Sequence, residues 1–471
     1  MVVKTPKNDS TQNLFSQVLN GGVLCLMGIF IFFNPFPHTT SIQEISFYLS
    51  VFLVVLGVIF KKMPFSFKSP LSLPLVLFTL WAAIGLFFAL DRDNSLHDFY
   101  SHLLKYLMLY YMLINVFNSK KRLEYLSWII IISAALFCVG ALVYEYLILG
   151  VAESSARFGV RFVQNPTNLM GVITLFAAIL SAHHLMEKGR HWWYHVLFAF
   201  CLMALLAVTV LTQSRSNFVA MGMVAVILLS KYKKVLLAFV LVLSLFICLT
   251  PIKDRFYLSE SGISGKPSIL HRISIAYISC EIIKDYPIFG TGFGIKTFQN
   301  RKAIDPKAYN ARLPKKYRMD EWAQRFPHLK AYEEQLSKNS VTDEGSPKES
   351  GIIEYLFKRP HNMFLIIGVR MGLVGLLFFL YLWFVAGKMC WKTMRYGKSA
   401  LLKGWGHCVT AAFVMFLVKG SLDPIFTHLT EVVLFTILAM ITIVWKLNQA
   451  ESNALHEEGP GVRRNQLAAP D

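Results

Sequence analysis

Three arginines lie in short polar stretches that contain almost no other charge. Arg215 lies in TQSRSNFVAM, between two apolar runs, and Arg157 and Arg161 lie in AESSARFGVRFVQN, where Glu153 is the only other charged residue. A guanidinium group stays charged and binds phosphate oxygens in pairs through its planar fork. These positions favour an anion-binding site, with arginines that merely reach lipid headgroups as the alternative.

A histidine follows a proline in the stretch RPHNMFLIIGVRMGLVG. An unperturbed imidazole titrates near neutral pH, so a histidine at this position could act as a base beside a bound anion. For a single histidine, a polar anchor at the water–membrane boundary is the competing interpretation. Together with the arginines, His361 predicts a site that offers cations to an anion and a base to a proton.

The elements that position these residues follow from composition. Of the 471 residues, 55% are hydrophobic and only 16% are charged, whereas soluble domains carry roughly a quarter charged residues. Apolar runs of about 20 residues, long enough to cross a hydrocarbon core of about 30 Å, recur along the chain. We therefore predict an all-α polytopic membrane protein with about twelve transmembrane helices, near residues 14–34, 44–60, 70–90, 100–117, 124–149, 167–186, 192–212, 217–230, 235–252, 362–386, 402–421 and 425–445.

Lysine and arginine are concentrated in alternate connections between these runs. Because cytoplasmic loops carry the excess of Lys and Arg, this asymmetry predicts that both termini are cytoplasmic. The three arginines above and the one long connection then lie on the outer face. The predicted division is residues 1–252 for membrane helices 1–9, 253–361 for a periplasmic loop domain, 362–446 for membrane helices 10–12 and 447–471 for a cytoplasmic tail.

The long outer connection is predicted to be mainly helical. HRISIAYISCEIIKDYP shows helical periodicity with one apolar stripe, formed by Ile273, Ala276, Tyr277, Cys280 and Ile283. The GTGFG stretch that follows lacks the strand and βαβ unit of a nucleotide-binding motif, and indicates a backbone turn packed against the membrane domain. Asp91 and Asp93 in DRD could hold a divalent cation, but they are more typical of a helix-end loop.

Several charged residues lie near or within the predicted spans. We expect them to pair with each other or to reach an interface; they are Lys105, Glu145, Arg370, Lys419, Asp423 and Glu431. Lys105 is the one we consider as a neighbour of the site.

These motifs together resemble the bacterial O-antigen ligases, within the superfamily that also includes O-antigen polymerases and some O-linked oligosaccharyltransferases. TQSRSNFVAMG is similar to the core segment of the superfamily, with its Thr-x-Ser-Arg turn. His361-Asn362, nine residues, and then Gly372-Leu373-Val374-Gly375 are similar to the ligase pattern. RFVQNPTNLMG resembles the loop that runs into Asn-Pro-x-Asn, and HRISIAYISCEIIKDYPIFGTGFG resembles the Arg-led helix ending in Pro-x-x-Gly-x-Gly. The resemblance covers most of the chain and leaves residues 301–350 unmatched.

The resemblance implies a GT-C-like glycosyltransferase of the bacterial inner membrane that works on the periplasmic face, with no metal and no cofactor. Its donor would be a polysaccharide on undecaprenyl diphosphate, and its acceptor a sugar hydroxyl of lipid A–core. Membrane lipids would be its other partners, and no nucleic acid is expected. Direct displacement at the anomeric carbon would invert its configuration.

The same resemblance implies roles for individual residues. Arg215 and His361 are the predicted catalytic residues, because a cation stabilises the departing diphosphate and an imidazole takes the proton of the acceptor. The predicted substrate-binding residues are Arg161, Arg157, Arg272, Asn362, Asn165, Asn168 and Lys105. Asn165 and Asn168 could equally be structural caps. The basic and aromatic stretch 301–335 could attract a phosphorylated acceptor.

Three other functions share part of this evidence. An O-antigen polymerase uses the same donor, although the His361 motif with its glycine pair favours a ligase. A protein O-oligosaccharyltransferase would need a peptide-binding groove rather than a basic outer domain. A transporter of lipid-linked sugars predicts internal repeats and paired broken helices, and the sequence shows no repeat.

Overall fold

The computed structural model describes residues 9–150, 167–249, 267–327, 329–330, 351–424 and 428–457. Within these ranges every regular element is helical and no β-strand is present. The helices are α1 (Asp9–Phe33), α2 (Thr40–Ile59), α3 (Ser72–Gly85), α4 (Arg92–Asp98), α5 (Lys105–Val116), α6 (Lys120–Leu142), α7 (Thr167–Leu185), α8 (Trp192–Leu211), α9 (Arg215–Leu229), α10 (Lys233–Leu249), α11 (Pro267–Asp285), α12 (Pro306–Ala311), α13 (Met319–Ala323), α14 (Ile352–Leu356), α15 (Met363–Tyr396), α16 (Ala400–Leu422) and α17 (His428–Glu457). A π-helical segment, Phe99–Leu104, joins α4 to α5, and another, Val143–Ile148, extends α6.

A helix lies at each of the twelve predicted spans. Among the described residues, seven helices are long and apolar enough to cross a membrane, namely Ser16–Phe33, Thr40–Ile59, Lys120–Ile148, Trp192–Leu211, Met363–Tyr396, Ala400–Leu422 and Leu429–Ala454. Shorter apolar helices lie at Ser72–Phe88, Met170–Leu185 and Arg215–Leu229. The chain is therefore a multi-pass helical membrane protein, and the number of twelve crossings stays a prediction. Helix α17 continues to Glu457, into the segment predicted as a tail.

Helix α17 is the central helix of the membrane domain, and most of its side chains are buried. Thr436 and Thr442 can lie in this apolar core because each hydroxyl donates to the carbonyl four residues earlier, at 2.7 Å and 3.0 Å. A buried hydroxyl with a partner avoids the cost of an unpaired donor. At the rim, α2 instead exposes large apolar side chains such as Phe52 and Val55, as expected of a surface that faces lipid.

Helix α15 is broken at Gly372, the first glycine of the ligase-like motif. Gly372 has φ +68°, a backbone conformation that L side chains rarely adopt. A Cβ atom at this position would lie 2.2 Å from the carbonyl oxygen of Ile288. The next amide, Leu373 N, donates to Pro287 O at 2.7 Å. The break in α15 therefore receives the backbone of the segment between α10 and α15, whose described residues we call the outer domain after its predicted position.

The GTGFG stretch extends this junction. Thr291 N donates to Val369 O at 2.8 Å, and Gly292 N donates to Arg370 O at 3.0 Å. Gly290 and Gly292 have φ values of +69° and +112°. The interpretation of GTGFG as a backbone turn packed against the membrane domain is confirmed.

Helix α11 forms as predicted, but it buries a different face. The buried residues are Leu270, Ser274, Ile275, Ile278, Ser279 and Ile282, whereas Tyr277 and Cys280 of the predicted stripe are exposed. The two serines can be buried because Ser274 Oγ binds the Leu270 and Tyr317 carbonyls and Ser279 Oγ donates to Ile275 O. The predicted stripe contains neither serine, because serine is usually a surface residue, and it therefore lies on a neighbouring face of the helix.

Candidate active site

Asp423, directly after α16, is the point where this helix meets two other segments of the chain. Its carboxylate accepts hydrogen bonds from Lys419 Nζ at 2.7 Å and from Arg272 Nη2 at 3.4 Å, and also from Ser216 Oγ. Lys419 belongs to α16, Arg272 to α11 and Ser216 to the first turn of α9. These contacts hold segments that are far apart in the sequence together at one end of the helix bundle. We call the four residues Ser216, Arg272, Lys419 and Asp423 the Asp423 cluster.

The carboxylate of Asp423 is a fixed negative charge, although this residue is only 1% exposed. Burial alone would raise its pKa, but Lys419, Ser216 and Arg272 together hold the pKa below its usual value. Lys419 Nζ also donates to Ser216 Oγ at 2.8 Å and to Asn217 Oδ1 at 2.6 Å. A buried ion pair with these additional hydrogen bonds is a rigid frame rather than a mobile surface contact.

Arg215 is the first residue of α9, and its side chain is exposed. The turn before it is tight because Gln213 has a left-handed backbone, with φ +48°. Such a conformation costs a non-glycine residue about 1–3 kcal/mol and is often retained at functional sites. The hydroxyls of Ser214 and Ser216, on either side of Arg215, lie 2.9 Å apart. The backbone of Arg215 is therefore tied to the Asp423 cluster while its guanidinium group stands at the edge.

Arg272 stands at the same edge, with its side chain 43% exposed. Its Nη1 donates to Leu422 O at 2.7 Å and its Nη2 to Asp423 Oδ1 at 3.4 Å. A guanidinium group has five donors, so these contacts with the described residues leave part of the fork for an anion.

His361 lies just before α15 and is partly buried. Its pKa is lowered to about 4, chiefly by burial and next by the charge of Arg272, against an opposing effect of Asp423. Its Nδ1 atom is buried and has no hydrogen-bond partner among the described residues. The ring is therefore neutral near pH 7 and able to accept a proton.

The imidazole of His271 packs against His361. The two ring centroids lie 5.8 Å apart and the planes are nearly perpendicular, at 77°. His271 Nε2 lies 2.7 Å from Leu356 O, so this nitrogen carries the proton and donates. His271 is therefore held in one orientation and limits the positions open to the His361 ring.

Asn362 links His361 to the rest of the cluster. Its Oδ1 accepts from two backbone amides in the first turn of α15, at 2.9 Å and 3.1 Å. Its Nδ2 donates to Ser421 O at 3.1 Å. Asn362 therefore caps α15 and ties it to the end of α16, which places His361 beside Arg272.

The segment that carries both arginines of this site matches a known protein family. Residues 198–328 match the Wzy_C family, described as O-antigen ligase. This match covers 131 of the 471 residues and supports the O-antigen ligase family. No curated protein gives a significant match to the sequence. His361 and Asp423 lie outside the matched segment, so the structure brings them to the ligase-family residues from the C-terminal part of the chain.

The other predicted residues of the ligase-like motifs are only partly described. Three lie outside the described residues, namely Arg157, Arg161 and Asn165. Asn168 lies in the first turn of α7. Gly171, one turn later, faces α9: a Cβ atom there would lie 2.1 Å from Asn217 Oδ1. The start of α7 therefore packs against the first turn of α9, next to Arg215.

Lys105 has a different environment. Its Nζ atom lies 2.5 Å from Glu44 Oε1, and the ring centroids of Phe47, Tyr48 and Tyr106 lie 5.6 to 6.0 Å away. Glu44 balances its charge, and within the described part of the chain no polar contact joins Lys105 to the Asp423 cluster. These contacts support a role for Lys105 in packing α2 against α5.

The Asp91 carboxylate of the DRD stretch is used within the protein. Its Oδ1 accepts from Asn94 N at 3.1 Å, which caps α4, and its Oδ2 accepts from Asn300 Nδ2 at 2.7 Å. These contacts are those of a helix-end loop that also holds the outer domain. No group of three or more His, Cys, Asp or Glu residues suited to a metal ion is found in the described ranges.

Two residues of the site carry no ligase-like motif. Lys419 and Asp423 lie four residues apart, which is the spacing of an ion pair on one face of a helix. This spacing is the feature of the sequence from which the pair could be predicted. The expectation that charged residues near the spans pair with each other is confirmed for them. His271 offers a weaker signal, its position directly before Arg272.

Proposed function

We propose that this protein is an O-antigen ligase, which transfers a polysaccharide from undecaprenyl diphosphate to a sugar hydroxyl of lipid A–core, with inversion and without a metal. The observation that carries the proposal is that the ionised Asp423 binds both Arg272 and Ser216, the residue next to Arg215, while the neutral His361 lies near Arg272. Exposed guanidinium groups suit the diphosphate of the donor, and the imidazole suits the proton of the acceptor. The family match supports this class of reaction.

The diphosphate of the donor would bind at the edge formed by the two arginines. Arg215 begins a helix of 15 residues, whose N-terminal amides and dipole favour an anion at the same place. Asp423 holds Arg272 directly and the backbone of Arg215 through Ser216, so the cations need little rearrangement when charge builds on the leaving group. Fixed donors of this kind lower a barrier by about 3–4 kcal/mol each.

In the transfer step, the acceptor hydroxyl oxygen attacks the anomeric carbon while the bond from that carbon to the diphosphate oxygen breaks. The electron pair of the broken bond leaves with undecaprenyl diphosphate, and the proton of the acceptor passes to His361. Attack from the side opposite the leaving group inverts the configuration. A pKa of about 4 keeps His361 neutral before the donor binds. The negative charge of the donor beside Arg272 would then raise this pKa towards the working pH.

The outer domain suits an anionic acceptor. Its surface carries several exposed basic side chains, including Lys302, Lys307, Lys315, Lys316, Arg325 and Lys330. Clustered cations attract a phosphorylated core oligosaccharide. The peptide acceptor of a protein O-oligosaccharyltransferase gives no comparable reason for this charge.

The position of the basic connections supports a periplasmic site. Lys398 and Ser399, just before α16, contact Asn448 and Glu451 near the end of α17. Asp423 lies at the other end of α16, whose 23 residues span about 34 Å. If the basic end is cytoplasmic, the Asp423 cluster faces the periplasm of the inner membrane and both termini are inside.

The test uses purified wild-type protein and the His361→Ala variant, with lipid-linked polysaccharide, lipid A–core and EDTA. The product is polymer-bearing lipid A–core, detected on a gel. We expect transfer by the wild type and none by the variant. His191→Ala is the control, because His191 is exposed at the opposite end of the bundle.

Three results would contradict the proposal. Longer lipid-linked chains without modified lipid A–core would identify an O-antigen polymerase. Transfer by His361→Ala at the wild-type rate would make His361 an interfacial anchor. Loss of wild-type activity in EDTA, restored by a divalent cation, would contradict the metal-independent mechanism.

A further inference from the structure

Tyr277 and Tyr317 form a stacked pair of rings on the surface of the outer domain. Their centroids lie 5.2 Å apart with an angle of 23° between the planes, and Tyr277 is 43% exposed. Lys316 Nζ lies 5.5 Å from the centroid of the Tyr317 ring. The negatively polarised face of an aromatic ring attracts the weakly positive C–H groups on one face of a pyranose. The ring pair with its adjacent cation therefore has the chemistry of a sugar-binding platform.

The platform is held rigidly from below. Ser274, one turn before Tyr277 in α11, places its Oγ 2.6 Å from the backbone carbonyl of Tyr317. The same oxygen accepts from Trp322 Nε1 at 3.1 Å, and Trp322 is fully buried. A ligand that binds here would not need to order the rings first, so little conformational entropy would be lost.

The platform is attached to the helix that carries Arg272. Tyr277 follows Arg272 by five residues, which is about 7.5 Å along the axis of α11. The diphosphate of the donor is assigned to the edge formed by Arg215 and Arg272, so a sugar at this distance lies beyond the reacting centre. Lys315 and Lys316 are both exposed, and their charge favours a sugar that carries phosphate.

We propose that Tyr277, Tyr317 and Lys316 form a subsite for a phosphate-bearing sugar of the acceptor core, near the hydroxyl that is glycosylated. This inference rests on the proposed ligase function and extends it to a part of the acceptor. Stacking on the rings orients the sugar, and Lys316 selects its charge. The subsite sets the affinity for the acceptor without taking part in bond breaking.

The test measures initial rates with the purified full-length protein, first at saturating donor and varied lipid A–core, and then at saturating lipid A–core and varied donor. Tyr277→Leu keeps an apolar side chain but removes the ring, and we expect a roughly tenfold rise in the KM for the acceptor, with kcat and the KM for the donor unchanged. Tyr277→Phe keeps the ring and should keep the wild-type KM. Lys316→Gln should raise the KM for phosphorylated lipid A–core but not for an enzymatically dephosphorylated sample.

Tyr125→Leu is the matched control. Tyr125 is also 43% exposed and also has a lysine near its ring, Lys121 Nζ at 5.8 Å, but it lies near the start of α6 at the opposite end of the bundle. Its KM values should equal those of the wild type.

Three results would overturn the subsite. If Tyr277→Leu and Tyr277→Phe both keep the wild-type KM, the rings face the membrane surface or solvent and do not bind the acceptor. If Lys316→Gln changes the KM equally for phosphorylated and dephosphorylated lipid A–core, Lys316 does not bind the phosphate. If the wild type modifies no lipid A–core, the proposed function fails first and the subsite with it.

Discussion

Replacing Asp423 by asparagine tests the frame that holds the candidate active site. The asparagine keeps the shape of the side chain and can still accept hydrogen bonds, but it removes the negative charge. Lys419 is 0% exposed and Asp423 is 1% exposed. The substitution therefore leaves a buried ammonium group without its anion.

The expected loss follows from this burial. Removing one partner of a buried ion pair costs about 3–5 kcal/mol, because the remaining charge is no longer compensated. Lys419→Met combined with Asp423→Asn removes both charges, and we expect the double variant to recover about half of the loss or more. The contact with Arg272 adds little, since that side chain is 43% exposed and exposed pairs contribute at most about 1 kcal/mol.

Thermal unfolding in detergent micelles measures the effect for the wild type, both single variants and the double variant. Glu451→Gln is the control, because it removes an ion pair with Lys120 whose partners are 24% and 45% exposed. We expect a clear fall in unfolding temperature for Asp423→Asn and almost none for the control. The reasoning is refuted if Asp423→Asn unfolds at the same temperature as the wild type. It is also refuted if the fall in unfolding temperature of the double variant equals the sum of the falls of the two single variants.

Further measurements test other parts of the site. Arg215→Lys should lower kcat by roughly tenfold or more, because a lysine lacks the planar fork that binds two phosphate oxygens; Arg395→Lys at the opposite end of the bundle should not, and equal activity of both variants would refute the role. Because His361 has a folded pKa of about 4 against about 6.5 in the unfolded chain, wild-type stability should fall as pH drops from about 6.5 to 4, and His361→Gln should lose this part of the pH dependence. Asp423 has a lowered pKa, so its contribution to stability is present above the unfolded value of about 3.9 and is lost as pH falls through the folded value; the Asp423→Asn curve should be flatter there. Gly372→Ala should destabilise the protein by about 1–3 kcal/mol or more, because its Cβ would lie 2.2 Å from Ile288 O; Gly140→Ala, with no atom within 4 Å of its Cβ, should not.

The sequence predicts the elements of the site better than their arrangement. The tight turn with Arg215, the helix led by Arg272 and the entry of α15 at His361 are all recognisable locally, because each depends on a short motif or on hydropathy. The point where these elements meet cannot be recognised from the sequence. It depends on Asp423, which lies in the stretch SLDP and belongs to no motif. The contacts of Asp423 with α9 and α11 are long-range, and no local pattern specifies them.

The face of α11 shows a second limit of sequence patterns. Ser274 and Ser279 interrupt the apolar pattern of the buried face, so periodicity alone selects the neighbouring stripe. Hydrogen bonds to Leu270, Tyr317 and Ile275 carbonyls make burial of these hydroxyls favourable. Such partners become visible only once the helix and the loop at Tyr317 are packed together.

The backbone junction at Gly372 has a consequence for how the protein can work. The outer domain is joined to the membrane domain at several separate points, including the break in α15, the contacts of Arg272 with Asp423 and the hydrogen bond from Asn300 to Asp91. Each of these contacts would have to break or stretch for the outer domain to swing away from the helices, so opening and closing of the site as in a rocking carrier is opposed by several hydrogen bonds at once. We therefore expect the candidate site to stand preformed, without a movement of domains to assemble it.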